Sequence, residues 1–212
     1  MYNIKNYEDT ENRILGKLLR APLESRSMRQ IALDTNLSYV TVYKLTSILG
    51  KKRLIKCEKK GKSCLVSVDF ENAELSRLSS AMIYERSVFT RMHPKIKILS
   101  GEIEDKLAGK FYILILFGSY AKGTSKMESD IDLLFVIPSR QDIENYREKI
   151  NKALKLHPAV KKDFSVVAVK DFIEMLDQKY TVGREAFLHC IVLFGAEQYY
   201  NSIKGHVRTK GY

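Results

Sequence analysis

Residues 111–138, FYILILFGSYAKGTSKMESDIDLLFVIP, constrain the fold of this chain more than any other stretch. Residues 112–117 form an apolar run, the pattern of a strand buried on both faces. Gly118 and Ser119 break that run, and residues this small let a backbone approach a phosphate closely. A helix opening at Ser119 would turn free N–H groups and the positive end of its dipole toward an anion. Ten residues separate Ser119 from Asp130, and Asp132 follows two positions later. A strand there places both carboxylates on one face. Two neighbouring carboxylates repel each other unless a cation lies between them. A phosphate-approaching turn with paired carboxylates in front of it specifies a magnesium–nucleotide site.

Composition sets the frame for this motif. A chain of 212 residues holds one large domain or two small ones, and 45% hydrophobic content excludes a disordered chain. No apolar run approaches the roughly 20 residues needed to span a bilayer, and the opening MYNIKNYEDT lacks the apolar core of a signal peptide. A cytoplasmic protein without a membrane partner is expected. Cys57, Cys64 and Cys190 form no CxxC pair. Cys57 and Cys64 flank an expected hairpin, where they face each other or, as unpaired thiols in a reducing compartment, are simply small half-buried residues. The formal charge of +11 favours polyanionic partners. It is uneven: residues 1–92 carry 17 Lys and Arg against 10 Asp and Glu, leaving 19 against 15 for the remainder.

The basic first part has its own pattern. Ile14, Leu15, Leu18 and Leu19 mark a helix over 11–20, ended by Pro22. Ser27 caps a second helix with Met28, Ile31 and Ala32 inward. Ser38 caps a third with Val42, Leu45, Ile48 and Leu49 on one face. Residues 54–69 then read as two strands joined at a Lys-Gly-Lys turn. Three helices followed by a basic hairpin describe a winged helix-turn-helix. Ser38, Tyr39, Thr41, Tyr43 and Lys44, at the start of the third helix, suit a DNA groove. Lys59, Lys60 and Lys62 at the hairpin tip suit phosphates of double-stranded DNA. A winged helix used for protein contact is the alternative.

Leu75, Leu78, Met82 and Phe89 mark a linking or dimerising helix over 72–92, ended at His93-Pro94. A further helix over 95–108 is weakened by Gly101. After the Asp-Ile-Asp strand, Ser139 caps a long helix with Ile143, Tyr146, Ile150 and Leu154 inward. Asp163 then opens a third strand. Two helices, a short strand, a Gly195 turn and a closing helix complete the chain. Strands and helices alternate, giving an α/β or α+β second half. The expected division is 1–70 for the winged helix, 71–94 for the linker helix and 95–212 for the domain carrying the motif.

Gly118-Ser119, ten residues, then Asp130-Ile-Asp132 resembles the signature of the DNA polymerase β nucleotidyltransferase superfamily, in its minimal nucleotidyltransferase branch. The resemblance covers about residues 95–200. It implies a small mixed sheet flanked by helices, two Mg²⁺ ions, and transfer of a nucleoside monophosphate, AMP from ATP, to a hydroxyl. Carried over by position, Gly118 and Ser119 would hold the triphosphate and Asp130 and Asp132 the metals. Asp163 is the candidate third carboxylate, a metal ligand that activates the attacking hydroxyl, with Asp171 and Asp177 as weaker alternatives. Lys122 is a candidate phosphate neutraliser, as is Lys126. His189, Tyr199 and Tyr200 read as structural.

Two functions follow from these features. One is a nucleotidyltransferase placed or regulated on DNA; the resemblance suggests a protein acceptor such as a HEPN-type toxin, with the toxin–antitoxin role that this implies. The added N-terminal domain departs from the minimal antitoxin enzymes. The other is a transcription regulator, a homodimer as winged-helix regulators often are, whose second domain only senses nucleotide.

Overall fold

A computed structural model describes residues 4–61 and 63–210. Lys62, one of the lysines expected at the hairpin tip, lies outside the described residues. Two compact units emerge. One contains the described residues up to Glu85 together with those from Tyr200 onward; the other is Arg86–Tyr199.

The first unit opens with α1 (Ile4–Leu19), longer toward the N-terminus than the apolar spacing indicates. Its Ile14, Leu15, Leu18 and Leu19 are almost fully buried. A two-residue strand β1 (Arg26–Ser27) leads into α2 (Met28–Thr35), and α3 (Tyr39–Lys51) follows. Both helices start where the caps predict: Ser27 Oγ accepts from the Gln30 N–H and Ser38 Oγ from the Thr41 N–H. Each cap satisfies a donor that helix geometry leaves unpaired. Val42, Leu45 and Leu49 bury the inner face of α3. The strands β2 (Ile55–Lys60) and β3 (Ser63–Val68) form a hairpin, and β1 pairs with β3, so the antiparallel sheet order is β1-β3-β2.

In that hairpin Cys57 pairs with Val66 and Lys59 with Cys64. The two cysteines are therefore diagonal neighbours on one face, and they are joined by a disulfide with their Cα atoms 6.0 Å apart. The reading of unpaired thiols is corrected here. The hairpin register, which the turn sets, brings the two side chains together. Cys190 is free and buried. The first part of α4 (Leu75–Met92) packs against α1 at Gly16, where an added Cβ would lie 2.9 Å from the Ala81 carbonyl oxygen. The buried Glu85 receives Lys17 at 2.5 Å and Arg20 at 3.4 Å, so its charge is compensated.

The second unit is a four-stranded sheet covered on both faces. Its elements are α5 (Pro94–Lys106), β4 (Ile113–Phe117), α6 (Gly118–Lys122) and β5 (Ile131–Ile137), then a 3-10 turn (Arg140–Asp142) and α7 (Ile143–Leu154). They continue with β6 (Lys162–Ala168), α8 (Val169–Met175), α9 (Val182–Leu188), β7 (Ile191–Phe194) and α10 (Ala196–Lys210), whose end belongs to the first unit. The sheet order is β6-β5-β4-β7. Only β5 and β6 run parallel, while β4 is antiparallel to both β5 and β7. The sheet is thus mixed, as the resemblance implies, and α+β describes the chain better than strict α/β alternation. Helix α5 passes through Gly101, because Ile96, Leu99 and Ile103 bury a continuous stripe whose packing outweighs the glycine's propensity cost of about 1 kcal/mol.

Alternation along the strands divides the side chains between two layers. Leu114, Leu116, Leu133 and Phe135 join Ile96, Leu99, Ile103, Tyr146 and Ile150 in one core with α5 and α7. The alternate residues face α8 and α9, whose Phe172, Leu176, Ala186 and Phe187 are fully buried. By the same alternation Asp132 lies on this second face.

Candidate active site

The site forms where β4 ends and β5 and β6 begin. Register places Phe117 opposite Asp132 across the antiparallel pair, and Asp132 beside Asp163 across the parallel pair. Adjacent strands lie about 4.8 Å apart, so Asp132 and Asp163 project side by side from one face. Asp130 sits one residue ahead of β5, exposed, and not within the strand as the spacing suggests. Asp163 is exposed and Asp132 half-buried. Three carboxylates thus share one end of the sheet, and their charges act on one another. Burial first, then the negative charges of Asp163 and Asp130, raise the Asp132 pKa above the ordinary carboxylate range. Lys122 and a hydrogen bond from the Ser119 N–H pull it the other way.

Gly118 is fixed by this arrangement. Its φ of +66° lies in the left-handed region, and a Cβ there would stand 1.9 Å from the Asp132 carboxylate. No L side chain fits, on either backbone or steric grounds. The Gly-Ser turn and the second aspartate are one packed unit. The helix α6 starts at Gly118 itself, one residue earlier than expected, and ends at Gly123. Lys122, in its last turn, reaches Glu185 of α9 at 3.2 Å while its charge still acts on Asp132.

The three acids expected as candidates for a third carboxylate stand in different places. Asp171 lies at the start of α8, held by the Arg140 guanidinium, which lowers its pKa. Asp177 lies beyond the end of α8 and is engaged elsewhere. Asp163 alone stands in register with Asp132. The sequence does not expose the Ser119 amide's bond to Asp132, nor Glu185 as the partner of Lys122; both depend on long-range packing.

Among the described residues, no group of three or more His, Cys, Asp or Glu side chains is gathered in a geometry that holds a metal ion. The donor chemistry nevertheless fits a hard divalent cation. Three carboxylates lie at one sheet end, two of them in register, and the repulsion felt at Asp132 is what a cation relieves.

Residues 96–186 match the family model described as a nucleotidyltransferase domain. The match supports the nucleotidyltransferase superfamily, and hence a transferase, for the stretch that holds both the Gly-Ser turn and all three aspartates. No curated protein and no solved structure matches the chain. No helix among the described residues is long and apolar enough to cross a membrane.

The residues expected to meet DNA lie in the first unit. Tyr39, Tyr43 and Lys44 are exposed on α3, with Val40 beside them. Ser38 is occupied as the cap, and its hydroxyl also shares a 2.8 Å hydrogen bond with Thr41 Oγ1. Lys59 and Lys60 are exposed at the end of β2.

Proposed function

We propose that the chain is a Mg²⁺-dependent nucleotidyltransferase that moves AMP from ATP to a hydroxyl acceptor, joined to a DNA-binding winged helix. The observation that carries the catalytic half is the register pairing of Asp132 with Asp163 beside a Gly118 that tolerates no side chain. Within the matched family stretch, the Gly-Ser turn lies against the Asp132 carboxylate, which supports this reading. Asp130, Asp132 and Asp163 would hold two Mg²⁺ ions. When bound, these supply charge stabilisation for the attacking and leaving oxygens of an in-line displacement.

The remaining work falls to the chain. The Gly118-Ser119 turn presents backbone N–H groups and the Ser119 hydroxyl to the triphosphate. Lys122 contributes positive charge, steadied by Glu185. Asp163, exposed at the sheet end, accepts the proton of the attacking hydroxyl. The raised pKa of Asp132 marks a carboxylate that binds its proton more tightly than usual until a cation arrives.

The element order α1-β1-α2-α3-β2-β3, the antiparallel order β1-β3-β2, and the exposed aromatic and basic residues of α3 and β2 support the winged-helix reading. ATP labelled at the α-phosphate, incubated with Mg²⁺ and acceptors, tests the catalytic half. Transfer by the wild type that is lost in Asp163→Asn supports it. Equal transfer by that variant removes Asp163 from the mechanism.

A further inference from the structure

With about 3.6 residues per turn, Tyr39, Val40, Tyr43, Lys44 and Ser47 share one side of α3, opposite the buried Val42, Leu45 and Leu49. Tyr39, Val40 and Tyr43 are 51%, 60% and 58% exposed, so an apolar patch faces solvent. The whole helix, YVTVYKLTSILGK, contains no Arg, Asn, Gln, Asp or Glu. Those are the side chains that read guanine, adenine and cytosine through matched hydrogen bonds. Helix α2 does not replace them, because Gln30 donates to Asp34 of the same helix at 2.8 Å. The Ser38 and Thr41 hydroxyls are joined to each other, and Ser38 also caps α3.

Positive charge frames the patch. Arg29 of α2 lines a cavity of about 300 Å³ together with Tyr39 and with Ser63 and Cys64 of β3. Ser63 and Cys64 pair with Lys60 and Lys59, the exposed lysines of β2. Lys44 is exposed on α3 itself. An apolar patch in a basic frame fits a partner that carries negative charge at its rim and apolar groups between. Double-stranded DNA has that arrangement: phosphates border the major groove, and the thymine 5-methyl is the apolar group on its floor.

We infer that α3 selects thymine through its 5-methyl group, with Val40 and the Tyr39 and Tyr43 rings packed against methyls in the major groove. The inference rests on the DNA-binding reading above and goes beyond it, because lysine–phosphate contacts carry no base preference. The hydroxyls of Tyr39, Tyr43 and Ser47 both donate and accept, so they do not separate the O4 of thymine from the N4 amino group of cytosine. The methyl decides. Uracil pairs as thymine does but lacks the methyl, and should be bound more weakly. Cytosine that carries a 5-methyl group should gain affinity over plain cytosine.

The test uses the full chain and duplexes that it selects from a random-sequence pool. The selected duplexes should be enriched in thymine. Remade with uracil in place of every thymine, they should bind about 10-fold more weakly or worse, two contacts of about fourfold each, the worth of one buried carbon per methyl. Val40→Ala and Tyr43→Ala should weaken binding of the thymine duplex and leave the uracil duplex almost unchanged, so the preference shrinks. Lys59→Glu/Lys60→Glu should weaken both alike and keep the preference. In a G·C-rich duplex, 5-methylcytosine in place of cytosine should tighten binding by wild type but not by Val40→Ala/Tyr43→Ala. Equal binding of the thymine and uracil duplexes, or a thymine preference untouched by Val40→Ala and Tyr43→Ala, would overturn the inference and leave DNA binding standing. Binding to no duplex at all would sink the DNA-binding reading with it and assign the patch to a protein partner.

Discussion

Asp132 is the residue on which the site's energetics turn. Its raised pKa means that the folded protein holds the proton more tightly than the unfolded chain does. The stability this confers is present below the unfolded carboxylate pKa, near 4, and is lost as pH rises through the folded value. At neutral pH the ionised Asp132 carboxylate therefore opposes folding, and two consequences follow. Asp132→Asn should raise Tm by about 2–4 °C while lowering transferase activity by about 10²-fold or more; a lowered Tm would show that the carboxylate is net stabilising. Mg²⁺ should raise the Tm of the wild type, with a gain of roughly 2.7 kcal/mol at a hundred times its Kd, and the gain should shrink in Asp132→Asn. Calorimetry with and without Mg²⁺ reads both effects.

Two further residues carry definite expectations. Gly118→Ala forces a side chain onto the Asp132 carboxylate from a left-handed backbone. It should cost about 1–3 kcal/mol of stability and about 10²-fold in activity from misplacement; near-wild-type activity would detach the turn from the site. The Tyr112 phenol is pushed well up, by burial first and by Glu104 next, with Arg86 opposing. Its hydroxyl is buried without a hydrogen-bond partner. Stability is full below the unfolded phenol value near 10 and falls as pH rises above it. Tyr112→Phe should thus flatten the alkaline limb of a stability–pH curve and change neutral-pH stability by about 1 kcal/mol or less.

At the scale of elements, the proposed DNA binding rests on helix α3 and the hairpin β2–β3. Lys59→Glu/Lys60→Glu should weaken binding to duplexes of any sequence. It should reduce the slope of log K against log salt by about 1 for each phosphate no longer neutralised by a lysine; an unchanged slope in a salt titration would assign this face to protein contact. Much of this layer is legible in the sequence because it is local. Ser27 and Ser38 cap the helices they precede, and the all-apolar 112–117 run becomes the central strand β4. What the sequence conceals depends on pairing partners. Strand direction cannot be read from apolar alternation, so the antiparallel placement of β4 and β7 within a mixed sheet emerges only from the packed structure. The Cys57–Cys64 link depends on hairpin register, and Asp130 falls outside its strand because pairing begins only at Ile131. Asp163 is visible in the sequence as an acid at a strand start, but only the packed structure shows that it stands in register with Asp132 while Arg140 takes Asp171.

The whole molecule joins a basic N-terminal part to a sheet whose carboxylates gather at one end. The surplus of 17 Lys and Arg over 10 Asp and Glu in residues 1–92 supplies non-specific attraction to polyanions, while the matched stretch 96–186 holds the chemistry. The central claim is that this chemistry is nucleotidyl transfer at Asp130, Asp132 and Asp163, and the most direct measurement follows the α-phosphate. With ATP labelled there, Mg²⁺ and a panel of hydroxyl acceptors, label should move to an acceptor with release of unlabelled pyrophosphate, and Asp130→Ala/Asp132→Ala should abolish the transfer. Label that stays on ATP with every acceptor, or moves equally well with the double variant, would contradict the account and leave a domain that only senses nucleotide.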